Sequence, residues 1–103
     1  MNLFVTGATG KVGSRFVPRM LQRGHRVKLL VRDAAKADGL RQQGAEVVEG
    51  DLLQPDHYAR ALQGTDAVIH LAAQFRGADE NATRIANVDG SIALARAALA
   101  ADV

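Results

Sequence analysis

Gly7, Gly10 and Gly13 recur at three-residue spacing where a short apolar run, Met1-Asn2-Leu3-Phe4-Val5, gives way to a helical pattern through Val12, Phe16, Val17, Met20 and Leu21. A buried strand that turns into a helix through glycines needs residues without a Cβ for three separate reasons. These are a tight reversal, close approach of backbone N–H groups to a phosphate, and close packing of helix on strand. Gly7, Gly10 and Gly13 suit the three roles in that order. In front of them, the free N–H groups of the first helical turn and the positive end of its dipole make an anion site. The guest this predicts is a pyrophosphate.

The spacing is Gly-x-x-Gly-x-x-Gly, so the Gly-x-Gly-x-x-Gly dinucleotide fingerprint is met only approximately. A mononucleotide P-loop is the competing reading, because Gly10-Lys11 looks like its Gly-Lys pair. It fails twice: Val5 stands where the first glycine belongs, and Val12 where a Ser or Thr must meet magnesium.

Downstream, strand-like and helix-like segments alternate. Pro18 falls inside the first helix, removes one backbone hydrogen bond and predicts a bend near Ser14–Arg19. Gly24 ends that helix. Val27-Lys28-Leu29-Leu30-Val31 reads as a second strand, closed by Arg32-Asp33, and Ala34 to Gln43 as a helix ended by Gly44. Ala45-Glu46-Val47-Val48-Glu49 is a third strand. Pro55 opens a short helix carrying Tyr58, Ala59 and Leu62 and stopping at Gly64, and Asp66-Ala67-Val68-Ile69-His70-Leu71 is a fourth strand. From about Asp79 an Ala-rich stretch with Ile85, Val88, Ile92, Leu94 and Leu99 predicts one long helix almost to Val103. This alternation calls for an α/β fold: a three-layer, doubly wound parallel sheet with right-handed crossovers and strand order 3-2-1-4.

Composition narrows the partners. A net charge of +2, with basic residues scattered among acidic ones, gives no footprint for nucleic acid despite a pI near 9.5. Without cysteine there is no disulfide framework, no cysteine metal site and no thiol nucleophile. No apolar run approaches a membrane span, and no basic leader precedes the first strand, so the expectation is a soluble, cytoplasmic chain that needs no membrane. His25, His57 and His70 have no metal-ligand spacing; for His70 a packed or hydrogen-bonded imidazole is the expectation, and His57 is expected on an exposed helix.

With these elements in place, the chain resembles the extended and atypical members of the short-chain dehydrogenase/reductase superfamily, the NAD(P)-binding, epimerase/dehydratase-like proteins. The landmarks are Thr6-Gly7-Ala8-Thr9-Gly10-Lys11-Val12-Gly13, Val31-Arg32-Asp33, Gly50-Asp51-Leu52 and His70-Leu71-Ala72-Ala73, with Asn87-Val88-Asp89-Gly90 in the final helix. They cover essentially the whole chain, and it is their joint order and separation that is specific. The resemblance implies that residues 1–103 are the N-terminal portion of an NAD(P)-binding Rossmann domain, truncated before a fifth strand. It implies cofactor contacts from Gly7, Thr9, Gly10, Lys11, Val12, Gly13, Arg32, Asp51, Leu52, Leu71, Ala72, Ala73 and Asn87.

Arg32 ends the second strand where an NAD-preferring protein places an acid on the ribose 2′-OH; an Arg there accommodates a 2′-phosphate, so NADP is expected. Asp33 follows directly and serves the ribose if the turn shifts by one, which keeps NAD possible. Asp51 would accept from the adenine amine and Leu52 cover the ring, while an Asp in such a position also serves as a helix cap. Asn87 would help position the active-site machinery.

Members of the family that do redox or epimerase chemistry use a Tyr-x-x-x-Lys pair, in which Lys lowers the Tyr pKa for proton transfer. Here the only tyrosine is Tyr58, and Leu62 stands four residues on, so no catalytic residue is assigned. Two functions follow as expectations. One is the cofactor-holding part of a short-chain-type oxidoreductase or sugar-nucleotide epimerase/dehydratase, its catalytic and substrate-binding portion outside this chain. The other is a non-catalytic NAD(P)-sensing module. The fourth strand is expected to form an open sheet edge, available for pairing with a second copy.

Overall fold

Short runs of β-branched and aliphatic residues form the strands, because a parallel sheet is buried on both faces and takes near-continuous apolar sequence. The computed structural model describes residues 1–8, 13–71 and 80–101, and from 80 to 88 only the backbone. The four strands are β1 (Asn2–Thr6), β2 (Arg26–Val31), β3 (Glu46–Glu49) and β4 (Ala67–His70). They lie in the order β3-β2-β1-β4, and every pairing is parallel. Val5 is in register with Leu29 on one side and Ile69 on the other. The expected fold and strand order are therefore observed.

Alternation along the strands divides the core in two. Leu3, Val5, Val27, Leu29 and Val31 face helices α1 (Gly13–Gln22) and α2 (Asp38–Gln42), packing with Val17 and Leu40. On the opposite face Phe4 and Leu30 pack with Tyr58, Leu62 and Leu94, the last on α3 (Glu80–Ala100). Helix α1 runs on through Pro18 to Gln22.

Two connections differ from expectation. The segment read as one helix from Ala34 to Gln43 is a 3-10 turn, Ala34–Ala37, followed by the five-residue α2. Asp33 starts it by accepting from the Ala35 N–H, and Gly39 inside α2 lowers helix propensity over the short span available. The helix expected after Pro55 is a pair of 3-10 turns, Pro55–His57 and Arg60–Leu62. In so short a crossover, tight turns bring both Tyr58 and Leu62 fully onto the sheet.

Candidate functional site

The site is built at the carboxyl ends of β1 and β2. Beyond Thr6 the chain reverses through Gly7, whose φ of 77° is a conformation open to glycine at no steric cost. Gly13 then opens α1 so close beneath that a Cβ on it would stand 2.6 Å from the Ala8 α-carbon, inside backbone rather than against a flexible side chain. The third glycine role, close packing of helix on strand, thus has a direct structural cause. Thr9, Gly10, Lys11 and Val12 lie outside the described residues, as do Ala72 and Ala73; Asn87 is on α3, with its side chain outside the description.

A hollow of about 250 Å³ opens beside this turn, lined by Thr6, Gly7, Ala8, Leu30, Val31, Arg32, Asp33, Lys36, Gly50 and Leu52. It brings the Gly-rich turn, the end of β2 and the Gly50-Asp51-Leu52 loop together, three stretches far apart in sequence. Leu71, also expected at the cofactor, is not among the lining residues: it packs with the α1-side core, and its N–H donates to the Thr6 carbonyl at 3.0 Å.

The charged groups divide clearly. Arg32 is largely exposed, and its Nη2 stands 3.6 Å from Asp51 Oδ1. An exposed pair of this kind contributes about 0–1 kcal/mol, so the guanidinium exchanges partners easily. Lys36, one turn further on, lines the same hollow; its spacing from Arg32 was the available signal, and it was missed in the sequence. Asp33 Oδ1 is engaged as the cap of the 3-10 turn, accepting from the Ala35 N–H at 3.1 Å.

Asp51 is held on several sides. Its Oδ1 accepts from the Leu53 N–H at 2.9 Å, a turn role of the kind its residue type favours, and its own N–H donates to His57 Nδ1 at 3.0 Å. Next to it, the Leu52 carbonyl accepts from the Tyr58 hydroxyl at 2.8 Å. Tyr58 is wholly buried against Phe4, ring centroids 6.0 Å apart, and burial, followed by the Asp51 charge, raises its pKa. The single tyrosine is thus a structural strut for the Leu52 loop. Leu52 in turn rests on α3 at Gly90, where a Cβ would come 2.7 Å from Leu52 Cδ2.

His70 sits beneath the site. Its Nδ1 is 2.6 Å from Thr6 Oγ1 and its Nε2 is 3.0 Å from Ser91 Oγ, joining β1, β4 and α3. Burial lowers its pKa. Among the described residues no group of His, Cys, Asp and Glu is arranged to hold a metal ion, and no helix is long and apolar enough to cross a membrane.

The hollow thus joins a close-packed glycine turn, the apolar side chain of Leu52 and two cations, Arg32 and Lys36. Residues 7–103 match a family model described as NAD(P)H-binding. Over 103 residues the chain is 39% identical to the photosystem II assembly factor Ycf39 of Trieres chinensis, covering 100% of this chain and 32% of that protein. It superposes on UDP-glucose-4-epimerase from Stenotrophomonas maltophila, solved with bound NAD and formylated UDP-arabinopyranose. The TM-score is 0.86 at 29% identity, with 100% of this chain and 34% of that chain covered. A short-chain dehydrogenase/reductase superfamily protein from Agrobacterium tumefaciens, with bound NAD, gives 0.79 at 31% identity, covering 100% and 30%. The chain spans about a third of the length of these relatives.

Proposed function

The chain belongs to the NAD(P)H-binding family, with solved neighbours in the short-chain dehydrogenase/reductase superfamily, and from that premise we propose that it holds the adenosine half of NADP. The observation that carries the choice of NADP is the placing of Arg32 and Lys36 on one hollow while the Asp33 carboxylate is engaged by the Ala35 N–H. Two cations suit a 2′-phosphate, and an acid already capping a turn is poorly placed to take a ribose hydroxyl.

In this reading Gly7, Thr9, Gly10, Lys11, Val12 and Gly13 surround the pyrophosphate. Leu52 covers the adenine, Asp51 accepts from its amine, and Ala72 and Ala73 leave room at the end of β4. Bound, the nicotinamide supplies hydride transfer; the residues here bind and orient the other end of the molecule. Asn87 is the residue of this chain assigned to positioning near the reaction. Residues 1–103 are then the N-terminal, cofactor-holding part of an oxidoreductase or sugar-nucleotide epimerase/dehydratase working in a reducing cytosol. Proton transfer falls to a Tyr-x-x-x-Lys pair outside residues 1–103. Among the described residues no strand lies on the outer side of β4, and a second copy would pair there.

A second reading, a non-catalytic NAD(P)-sensing module, is favoured by the relative named as a photosystem II assembly factor. Titration calorimetry with NADPH, NADH and their oxidised forms tests the binding claim: NADPH should bind most tightly, and a chain that takes up none of the four refutes both readings. Spectrophotometric turnover by a protein carrying the Tyr-x-x-x-Lys pair separates the enzyme from the sensor.

A further inference from the structure

Two consecutive residues of the adenine-side loop, Asp51 and Leu52, are held by two consecutive residues of the following turn, His57 and Tyr58. The Leu52 anchor is part-buried and comes from a buried tyrosine. The Asp51 anchor is exposed, and it is a histidine.

We propose that His57 is a positioning residue for nucleotide binding: by accepting the Asp51 N–H at Nδ1 it holds the Gly50-Asp51-Leu52 backbone in its binding shape. The proposal rests on the adenosine site described above and adds to it a residue outside the hollow. The accepting role requires an unprotonated Nδ1, with the ring proton on Nε2. The imidazole also fills the space left by Gly50, where a Cβ would stand 2.6 Å from His57 Cβ. The turn itself is closed by the Gln54 N–H to the Asp51 carbonyl and the His57 N–H to the Gln54 carbonyl, both at 2.9 Å.

Arg32, Glu49 and Asp51 border the same open hollow as His57, about 510 Å³ in volume; Asp56 precedes it in its own turn, and Tyr58 follows, buried and neutral. Loss of one such hydrogen bond corresponds to roughly a three- to tenfold change in affinity.

The test follows the Asp51 amide by NMR in the full chain, together with NAD⁺ affinity, in wild type, His57→Asn and His57→Leu. His57→Asn, whose carboxamide oxygen can take the place of Nδ1, should keep the wild-type affinity, and His57→Leu should lose roughly three- to tenfold, in step with a displaced Asp51 amide. Wild-type affinity in His57→Leu, or an equal loss in His57→Asn and His57→Leu, overturns the proposal. An Asp51 amide unmoved in His57→Leu while NAD⁺ binds overturns this proposal alone. An amide that moves in His57→Leu while NAD⁺ binds no variant overturns the nucleotide reading, and this proposal with it.

Discussion

Gly13 begins α1 directly against Ala8, leaving no room for a side chain: a Cβ at Gly13 would lie 2.6 Å from the Ala8 α-carbon. The neighbour is backbone, so it cannot swing aside. The turn at Gly7 and Ala8 is therefore shaped by close packing against α1 as much as by chain reversal.

Gly13→Ala should destabilise the fold by about 1–3 kcal/mol despite alanine's better helix propensity, because overpacking against backbone outweighs a gain of at most about 1 kcal/mol. Gly90→Ala should cost less, since its obstacle is the tip of the Leu52 side chain. Thermal midpoints of the two variants check the order; a Gly13→Ala midpoint at or above wild type would contradict it.

Arg32→Asp should lower NADPH affinity roughly ten- to hundredfold and leave NADH nearly unchanged, with Lys36→Ala a weaker version of the same effect. Calorimetry with both reduced cofactors measures the ratio. An unchanged ratio in Arg32→Asp removes the 2′-phosphate assignment.

Tyr58→Phe should cost about 1 kcal/mol by leaving the Leu52 carbonyl without its donor, while preserving the packing against Phe4. The raised pKa of the buried phenol adds a pH signature. Its contribution to stability is complete below about pH 10 and is lost as pH rises through the higher folded value. Urea midpoints above pH 10 should therefore fall more steeply for wild type than for Tyr58→Phe.

His70 predicts the opposite limb. Burial depresses its pKa, so the stability linked to its neutral form is complete above about pH 6.5 and declines as pH falls below that. His70→Gln should flatten the urea-midpoint profile between pH 7 and pH 5. A variant whose profile matches wild type would show that the Thr6–His70–Ser91 connection does not respond to acid.

Much of the fold was legible because its causes are local. Val27 to Val31 and Ala67 to His70 carry the near-continuous apolar sequence of parallel strands, and Gly24, Gly44 and Gly64 mark where connections turn, each at positive φ. The 3-10 character of Ala34–Ala37 and Pro55–His57 was not legible. Helix-start signals stand in both places, Asp33 as a cap and Pro55 in a first turn, and the short connections back to the sheet hold only tighter turns. At the site, Arg32 and Leu52 could be picked out by their landmarks and Lys36 by its spacing from Arg32, whereas His57 could not, because it matters through what lies opposite it in space.

By itself, then, the sequence determined the strand–glycine–helix opening, the alternation that makes a parallel sheet and the cation at the end of the second strand, all set by residue type and short spacing. Tertiary structure alone decided that Tyr58 braces Leu52, that Leu71 packs into the core and that His57 holds Asp51. Each of these depends on which hydrogen-bond partner or packing surface the folded chain brings within reach, and spacing along the chain carries no record of that.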